Sequence, residues 1–371
     1  MMGEWKKYKL KDVCTILGDG LHGTPIYDDK GEFFFINGNN LKDGRISIKN
    51  DTKRVPYSEA NKYKKPLNNR TILVSINGTI GNVAKYQDEK CILGKSACFF
   101  NVKENVDLNF IYYVVANQQF KNTITQLATG TTIKNVSLET MRNYTFCIPP
   151  LSIQKQIGKI LSSLDDKIEL NRRINDNLEQ QAQALFNEMF PHITEGENMI
   201  GDLIMPKRGK GLLSKNAIKG DIPVVAGGIE PATYHNQANT TAPVLTIAAS
   251  GANAGYINLW HIPVWASDSS YIDDSITPNV YFWYIMLKKR QKEIFDAQVG
   301  SAQPHIYPKH IAELPMNVVF VEKIAEYNEI VTPIFEKKGQ LFLESKHLTS
   351  LRDTLLPKLM SGELKINDIN N

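Results

Sequence analysis

Apolar residues recur every seven positions in two stretches of this chain. In the first, Ile157, Leu164, Leu178 and Leu185 fall seven apart with one place skipped, and Leu161, Ile168, Ala182 and Met189 supply a second position on the same stripe. In the second, Leu341, Leu348 and Leu355 repeat at seven, with Leu351 and Leu359 filling in. A 3.5-residue period predicts helices that bury one stripe against a partner helix, here over 152–190 and 322–360. Asn171 and Asn175 interrupt the first stripe, one at each position. Two readings stay open for them: they weaken the seam, or they fix its register and partner. Pro333 has no amide N–H and crowds the preceding turn, so the uninterrupted part of the second helix is expected to begin near 334.

The rest of the pattern is β-type. Short apolar runs are separated by turn pairs such as Asn37-Gly38, Asp43-Gly44 and Asn77-Gly78. The pattern occurs twice. "NFIYYVVANQQFKNTI" (109–124) and "NVYFWYIMLKKRQKEI" (279–294) align at an offset of 170. The same offset brings Gly130-Thr131 onto Gly300-Ser301, and Leu178, Leu185, Phe186 and Met189 onto Leu348, Leu355, Leu356 and Leu359. Upstream the register drifts: "ILVSINGTIGN" (72–82) faces "VLTIAASGANAG" (244–255). Each copy reads as about 100 residues of short strands, an amphipathic helix (109–122 or 279–296), a loop, and a long helix. The predicted class is α+β, with β-rich segments at 1–150 and 196–320 and helical segments at 151–195 and 321–371. Two seams in one chain pack most simply as an antiparallel pair. A helix of about 35 residues is roughly 50 Å long, so the expectation is a rod with a β-rich domain at each end and an approximate two-fold axis.

One stretch invites a different reading. "GDGLHGTP" (18–25) has glycines at 18, 20 and 23, the spacing of a dinucleotide-binding loop. Such a loop works by handing phosphates to a helix N-terminus directly behind it. Pro25 and the aromatic run after it show no helical period, so a glycine-rich surface loop is the better reading.

Composition narrows the class further. The 371 residues, 42% hydrophobic and 22% charged, suffice for two globular domains. The net charge of +4 is compatible with a polyanionic partner without demanding one. Four cysteines without a C-x-x-C pair fit neither a zinc site nor a disulfide framework. The polar N-terminus and the lack of an apolar run near 20 residues point to a soluble, cytoplasmic protein that uses no membrane.

No catalytic constellation emerges. H-E-x-x-H, G-x-S-x-G and the phosphate-binding GxxxxGK[ST] are absent. The pairs Asp28-Asp29, Asp165-Asp166 and Asp273-Asp274 read as turns and solvated helix starts. "IPPL" (148–151) is similar to the N-P-P-Y signature of amino-methyltransferases, but Ile148 cannot hydrogen-bond an amine and Leu151 cannot stack as tyrosine does. Two prolines that end a strand and launch a helix are the simpler account. What remains is polar loop chemistry suited to a nucleic acid. Lys53, Arg54, Lys64, Lys207, Arg208 and Lys210 are candidate phosphate contacts. His22, Thr24, Asn77, Thr79, Ser250 and Asn253 are candidates for base edges, as are Thr131, Thr132, Lys134 and Asn135 in one copy and Ser301, Gln303 and His305 in the other.

These segments together resemble the specificity subunit of type I restriction–modification systems. The resemblance runs over nearly the whole chain and rests on "DGLHGTPIYDDKGEFFFINGNNLKDGRI" (19–46), "SINGTIGNVA" (75–84) and "GTTIKNVSLETMRNYTFCIPPLSIQKQIGKILSSLDDKIELNRRINDNLEQQAQALFNEMF" (130–190). The second copy, through "GSAQPHIYPKHI" and "LRDTLLPKLMSGEL", is a looser match. The resemblance implies two target-recognition domains, each reading part of a split double-stranded DNA sequence, and two helices that set the gap. It implies two methyltransferase subunits that carry S-adenosylmethionine, and restriction-translocase subunits beside them. This chain itself would hold no cofactor, no metal and no catalytic residue. Three alternatives compete with that reading: an inactive or unpaired specificity subunit, a methyltransferase with its own cofactor site, and a coiled-coil scaffold that never meets DNA.

Overall fold

The computed structural model describes residues 5–300 and 303–365. The chain divides into two compact units, residues 1–167 with 347–371, and residues 168–346.

The first unit is built on a four-stranded antiparallel sheet ordered Cys14–Asp19, Ala97–Val102, Thr71–Ser75, Val83–Lys85. Alternation along its strands serves two cores. Cys98, Phe100 and Val102, with Ile72 and Val74, face helices Leu108–Ala116 and Gln118–Gln126 through Phe110, Ile111, Val115 and Phe120. Ala97 and Phe99, with Leu73, face a smaller core around Ile36, Leu41 and Leu93. Both faces of the central strands Thr71–Ser75 and Ala97–Val102 are therefore buried, which is why these two read as near-continuous apolar runs. A second sheet, Arg54–Val55, Phe33–Ile36, Cys91–Leu93, lies beyond. Asp43 and Gly44, at φ 51° and 78°, close the hairpin Leu41–Lys42/Arg45–Ile46. Both positive angles are what a two-residue hairpin turn requires.

The second unit repeats the plan. Its sheet runs Lys207–Arg208, Ser269–Ile272, Val244–Ala248, Ile257–Trp260. Leu245 and Ile247 face the main core with Phe282, Ile285 and Ile294, while Val244 and Trp260 face a smaller one with Val225 and Val264. In both units the amphipathic helix differs from its expected form: it is two helices. Leu108–Ala116 ends at Asn117, whose side chain caps Gln118–Gln126 by accepting from Phe120 N at 2.7 Å. Val280–Lys289 and Gln291–Asp296 break at Arg290, a buried residue whose guanidinium is satisfied by the Pro315 carbonyl and Glu293. The apolar period runs through both breaks, which hides them in the sequence.

The long helices span Leu151–Met189 and Val321–Ser361. The second corrects the expected start near 334, because Pro333 sits inside it. The turn around the proline is held by Tyr327, Val331 and Phe335, all fully buried. Thr332 adds a bond from its hydroxyl to the Asn328 carbonyl at 2.7 Å. Burying one such side chain is worth about 1.5–3 kcal/mol, enough together to offset the lost amide bond.

Within the second unit the two helices run antiparallel: Tyr327 bonds the Ala182 carbonyl, Lys338 pairs with Glu179, and Asn171 bonds Glu344 and Ser345. Of the seam residues, Ala182 and Leu341 are buried, and Ile168, Leu178, Leu185 and Met189 are half-buried. Within the first unit Ile157, Leu161 and Leu359 are buried, and Leu164, Leu348 and Leu355 half-buried. Leu351 departs from the expected seam and is exposed. Asp165 departs as well. It is no helix start but sits in the middle of one, accepting from Tyr113 at 2.5 Å and Arg352 at 2.7 Å. Asn171 is fully buried, and its amide group donates to Glu344 and Ser345 while its own carbonyl oxygen has no partner among the described residues.

Candidate functional site

The loop after strand Thr71–Ser75 in the first unit, and after Val244–Ala248 in the second, carries the repeated site, and backbone bonds build it. In the first unit, residues following Thr71–Ser75 lie against the loop 129–136. Val136 N donates to the Ile76 carbonyl at 2.8 Å and Gly78 N to the Lys134 carbonyl at 3.2 Å. Thr129 and Asn135 exchange both backbone bonds, at 2.9 and 2.7 Å. In the second unit, residues following Val244–Ala248 lie against the loop 299–306 in the same way. Ile306 N donates to the Ala249 carbonyl at 2.9 Å, Gly251 N to the Pro304 carbonyl at 3.0 Å, and Val299 exchanges both bonds with His305. Gly78 and Gly251, at φ 69° and 81°, make the sharp turns that these bonds need. The loops "SINGTIGN" and "GTTIKN" are thus one clamp, and "ASGANAG" and "GSAQPH" are its counterpart.

The clamps share a backbone and differ in side chains. Sheet register sets the equivalences. Asp19 pairs with Cys98 in the first unit, and Arg208 pairs with Ser270 in the second, at the matching place on the sheet. An acid in one unit therefore stands where a base stands in the other. Asp19 holds the His22 imidazole at 2.6 Å. Arg208 Nη2 holds Asp268 Oδ1 at 2.6 Å, and the other oxygen of Asp268 accepts from the Ser250 hydroxyl. Ser96, the counterpart of Asp268, instead donates to Asn37 at 2.8 Å. Asn77 donates from its amide to Asn135 at 3.2 Å. His305 stacks on Tyr307, ring centroids 5.9 Å apart.

The structure brings His22 and Asn135 to a single cleft of about 310 Å³ with Asp19, Lys95 and Ser137. Thr79, Thr131, Thr132 and Lys134 are exposed on the same clamp, and Thr24 is exposed further along the first glycine loop. Arg208, Ser250 and His305 join the second clamp through the contacts above, with Gln303 exposed and Asn253 half-buried beside them. Lys207 donates to Ser275 at 3.1 Å, and Lys210 is exposed just past Gly209. Lys53, Arg54 and Lys64 belong to other elements: Arg54 lies on the second sheet with its guanidinium 4.7 Å over the Phe34 ring, and Lys64 follows helix Tyr57–Tyr63. Ser301 lies outside the described residues. Residue patterns alone missed Asp268, Lys95 and the Asp19–Arg208 equivalence. Asp268 and Lys95 lie far in sequence from every chosen candidate, Asp268 being 18 residues from Ser250, and only strand pairing reveals their places.

The glycine loop has a packing explanation. A Cβ on Gly20 would lie 2.1 Å from the Leu93 carbonyl oxygen, and no helix follows strand Cys14–Asp19 before residue 38. Burial pushes the Cys14 and Cys91 thiols up to about 12, so neither is a ready nucleophile. Among the described residues no group of three or more His, Cys, Asp and Glu side chains is placed to hold a metal ion, and no helix is long and apolar enough to cross a membrane.

Comparison with known proteins agrees with the fold. Residues 2–180 match the type I restriction modification DNA specificity domain. A protein of Mycoplasma pneumoniae described as a type I specificity subunit is 28% identical, over 96% of each chain. The specificity subunit of the type I restriction enzyme MjaIX of Methanocaldococcus jannaschii is 23% identical, over 81% of this chain and 78% of that one. The crystal structure of a type I restriction–modification S subunit from M. genitalium shares the fold, with a TM-score of 0.59 at 24% identity and 96% coverage of both chains. The first half of the chain thus carries a match to the type I restriction modification DNA specificity domain, and over nearly its whole length the chain is similar to proteins described as type I specificity subunits.

Proposed function

We propose that this chain reads a split, asymmetric double-stranded DNA target, one half through each clamp. Residues 1–150 and 196–320 serve as the two target-recognition domains. The helical segments 151–195 and 321–371 set the unread gap between the halves. Two methyltransferase subunits dock on the chain and supply S-adenosylmethionine and adenine methylation, flipping the base out of the duplex to reach it. Restriction-translocase subunits complete the assembly in the cytoplasm. The chain contributes no cofactor, metal or catalytic group.

The observation that carries this reading is the repeated clamp. An identical hydrogen-bonded frame is kept in both units while the side chains at its rim change, down to a reversal of charge between Asp19 and Arg208. A shared frame with exchanged side chains suits two readers of different sequences: acids accept from cytosine N4 and arginines donate to guanine. The test is methylation-sensitive long-read sequencing of DNA from cells expressing the chain with its methyltransferase subunits. Two unlike half-sequences around a constant gap support the reading. A palindromic target, or methylation without a sequence motif, overturns it.

A further inference from the structure

We propose that Arg208 reads a guanine in the half-site of the second unit, and that Asp268 is the positioning residue that aims it. The proposal rests on the reading above, and assigns one base to one side chain.

Three strand ends converge at this point. Arg208 closes the edge strand Lys207–Arg208, Asp268 immediately precedes its neighbour Ser269–Ile272, and Ser250 follows the next strand, Val244–Ala248. The backbone around Arg208 is fixed on both sides: Arg208 pairs with Ser270, Gly209 N donates to Ser269 O at 2.8 Å and Lys210 N to Ala266 O at 2.9 Å. Gly209 is required there, since a Cβ would lie 2.4 Å from the Ala266 carbonyl oxygen. Asp268 is fixed as well. Its carbonyl accepts from Ala249 N at 3.1 Å, and its two carboxylate oxygens are divided between Arg208 and Ser250.

A surface ion pair of this kind adds little to stability, because solvent screens it and two side chains lose freedom. The Arg208 and Asp268 side chains are 40% and 38% exposed. What the pair does supply is direction. The carboxylate takes one Nη2 hydrogen, so the planar fork is held with the other Nη2 hydrogen and both Nη1 hydrogens uncommitted among the described residues. Two parallel N–H groups in that geometry match O6 and N7 of guanine in the major groove, the commonest arginine contact to a base. Phosphate contact alone needs only charge. The first unit makes the contrast, because its frame has Asp19 at the Arg208 position and Ser96 at the Asp268 position. The arrangement belongs to one half-site only.

The test compares methylated motifs, by long-read sequencing, for complexes of methyltransferase subunits with wild-type chain, Arg208→Gln, Arg208→Lys, Asp268→Ala and Asp268→Asn. In the wild type the second unit's half-site contains an invariant guanine. In Arg208→Gln the preference at that one position falls by about 5- to 150-fold, the span of one bidentate contact, while the first unit's half-site is unchanged and reports that the chain is folded. Arg208→Lys keeps the charge and loses the fork, so it relaxes the same position while overall methylation persists. Asp268→Ala relaxes that position too, and Asp268→Asn, which still bonds Ser250 and Arg208, restores part of it. If Arg208→Gln leaves no methylation, Arg208→Lys decides: an intact guanine preference there refutes the assignment. An unchanged motif in Arg208→Gln, or an even loss across all positions with Arg208→Lys fully active, also refutes it, the latter marking a phosphate contact. A wild type with no sequence motif at all would instead refute DNA reading as such.

Discussion

Gly339 shows how a single residue answers to a distant partner. Glycine inside a helix costs about 1 kcal/mol relative to alanine, so sequence alone marks it as a weak point of Val321–Ser361. The His261 ring lies against it: a Cβ there would fall 2.8 Å from Cγ and 2.9 Å from Nδ1 of the imidazole. Gly339→Ala is therefore expected to destabilise the protein by about 1–3 kcal/mol, as overpacking does, where propensity alone would have it stabilise; urea denaturation reads the sign. His261 has a pH consequence. Burial, and then the Lys338 charge, lowers its pKa to about 4, against an ordinary value near 6.5. Between those two values the unfolded chain takes up a proton that the folded chain refuses, so stability falls as pH drops through that window. The loss in full is roughly 3 kcal/mol. Burial raises the pKa of the neighbouring Glu179, but Lys338 and Tyr284 outweigh it and hold the carboxyl below its usual value. Its contribution is present above the unfolded pKa and is lost only at still lower pH. His261→Leu should flatten the profile between pH 6.5 and 4, measured as urea midpoints across that range; an unaltered slope would count against a buried neutral imidazole.

At the scale of elements, periodicity located the long helices and failed at Pro333, which does not restart the second of them, and at the breaks in the shorter helices. The heptad stripe located Leu161 and Leu359, both fully buried. It misplaced Leu351, which is exposed, because a helix of 3.6 residues per turn drifts off a strict seven-residue repeat. Leu161→Ala should cost about 2–5 kcal/mol, and Leu351→Ala within about 0.5 kcal/mol of nothing, a contrast that thermal unfolding resolves. The break at Asn117 was invisible for a different reason: capping is a property of one side chain, and apolar spacing continues across it. Asn117→Ala should lose about 1 kcal/mol. A gain would mean that one continuous helix is the preferred state. The two-residue strand Lys207–Arg208 lies beyond any pattern, since two residues have no period. Its register with Ser270 comes from pairing with a strand distant in the chain, and with it the charge reversal against Asp19.

For the whole molecule the duplication was legible because it is a comparison of the chain with itself, independent of any assigned structure. The base contacts were not legible, since polar loop residues carry no signal of which neighbours they meet. If the long helices measure the gap, inserting four residues after Asn177 adds one turn and about 6 Å. The gap should then lengthen by one or two base pairs, at about 3.4 Å each, with both half-sites unaltered. Two inserted residues rotate the following seam by about 200°, turning Leu178, Leu185 and Met189 away, and should destabilise the protein instead. The central claim is that each unit reads its own half of the target. Its most direct test replaces residues 1–150 by the corresponding segment of another specificity subunit and sequences the methylated motif. A new sequence in one half, with the other half retained, is the predicted result; a change in both halves would contradict it.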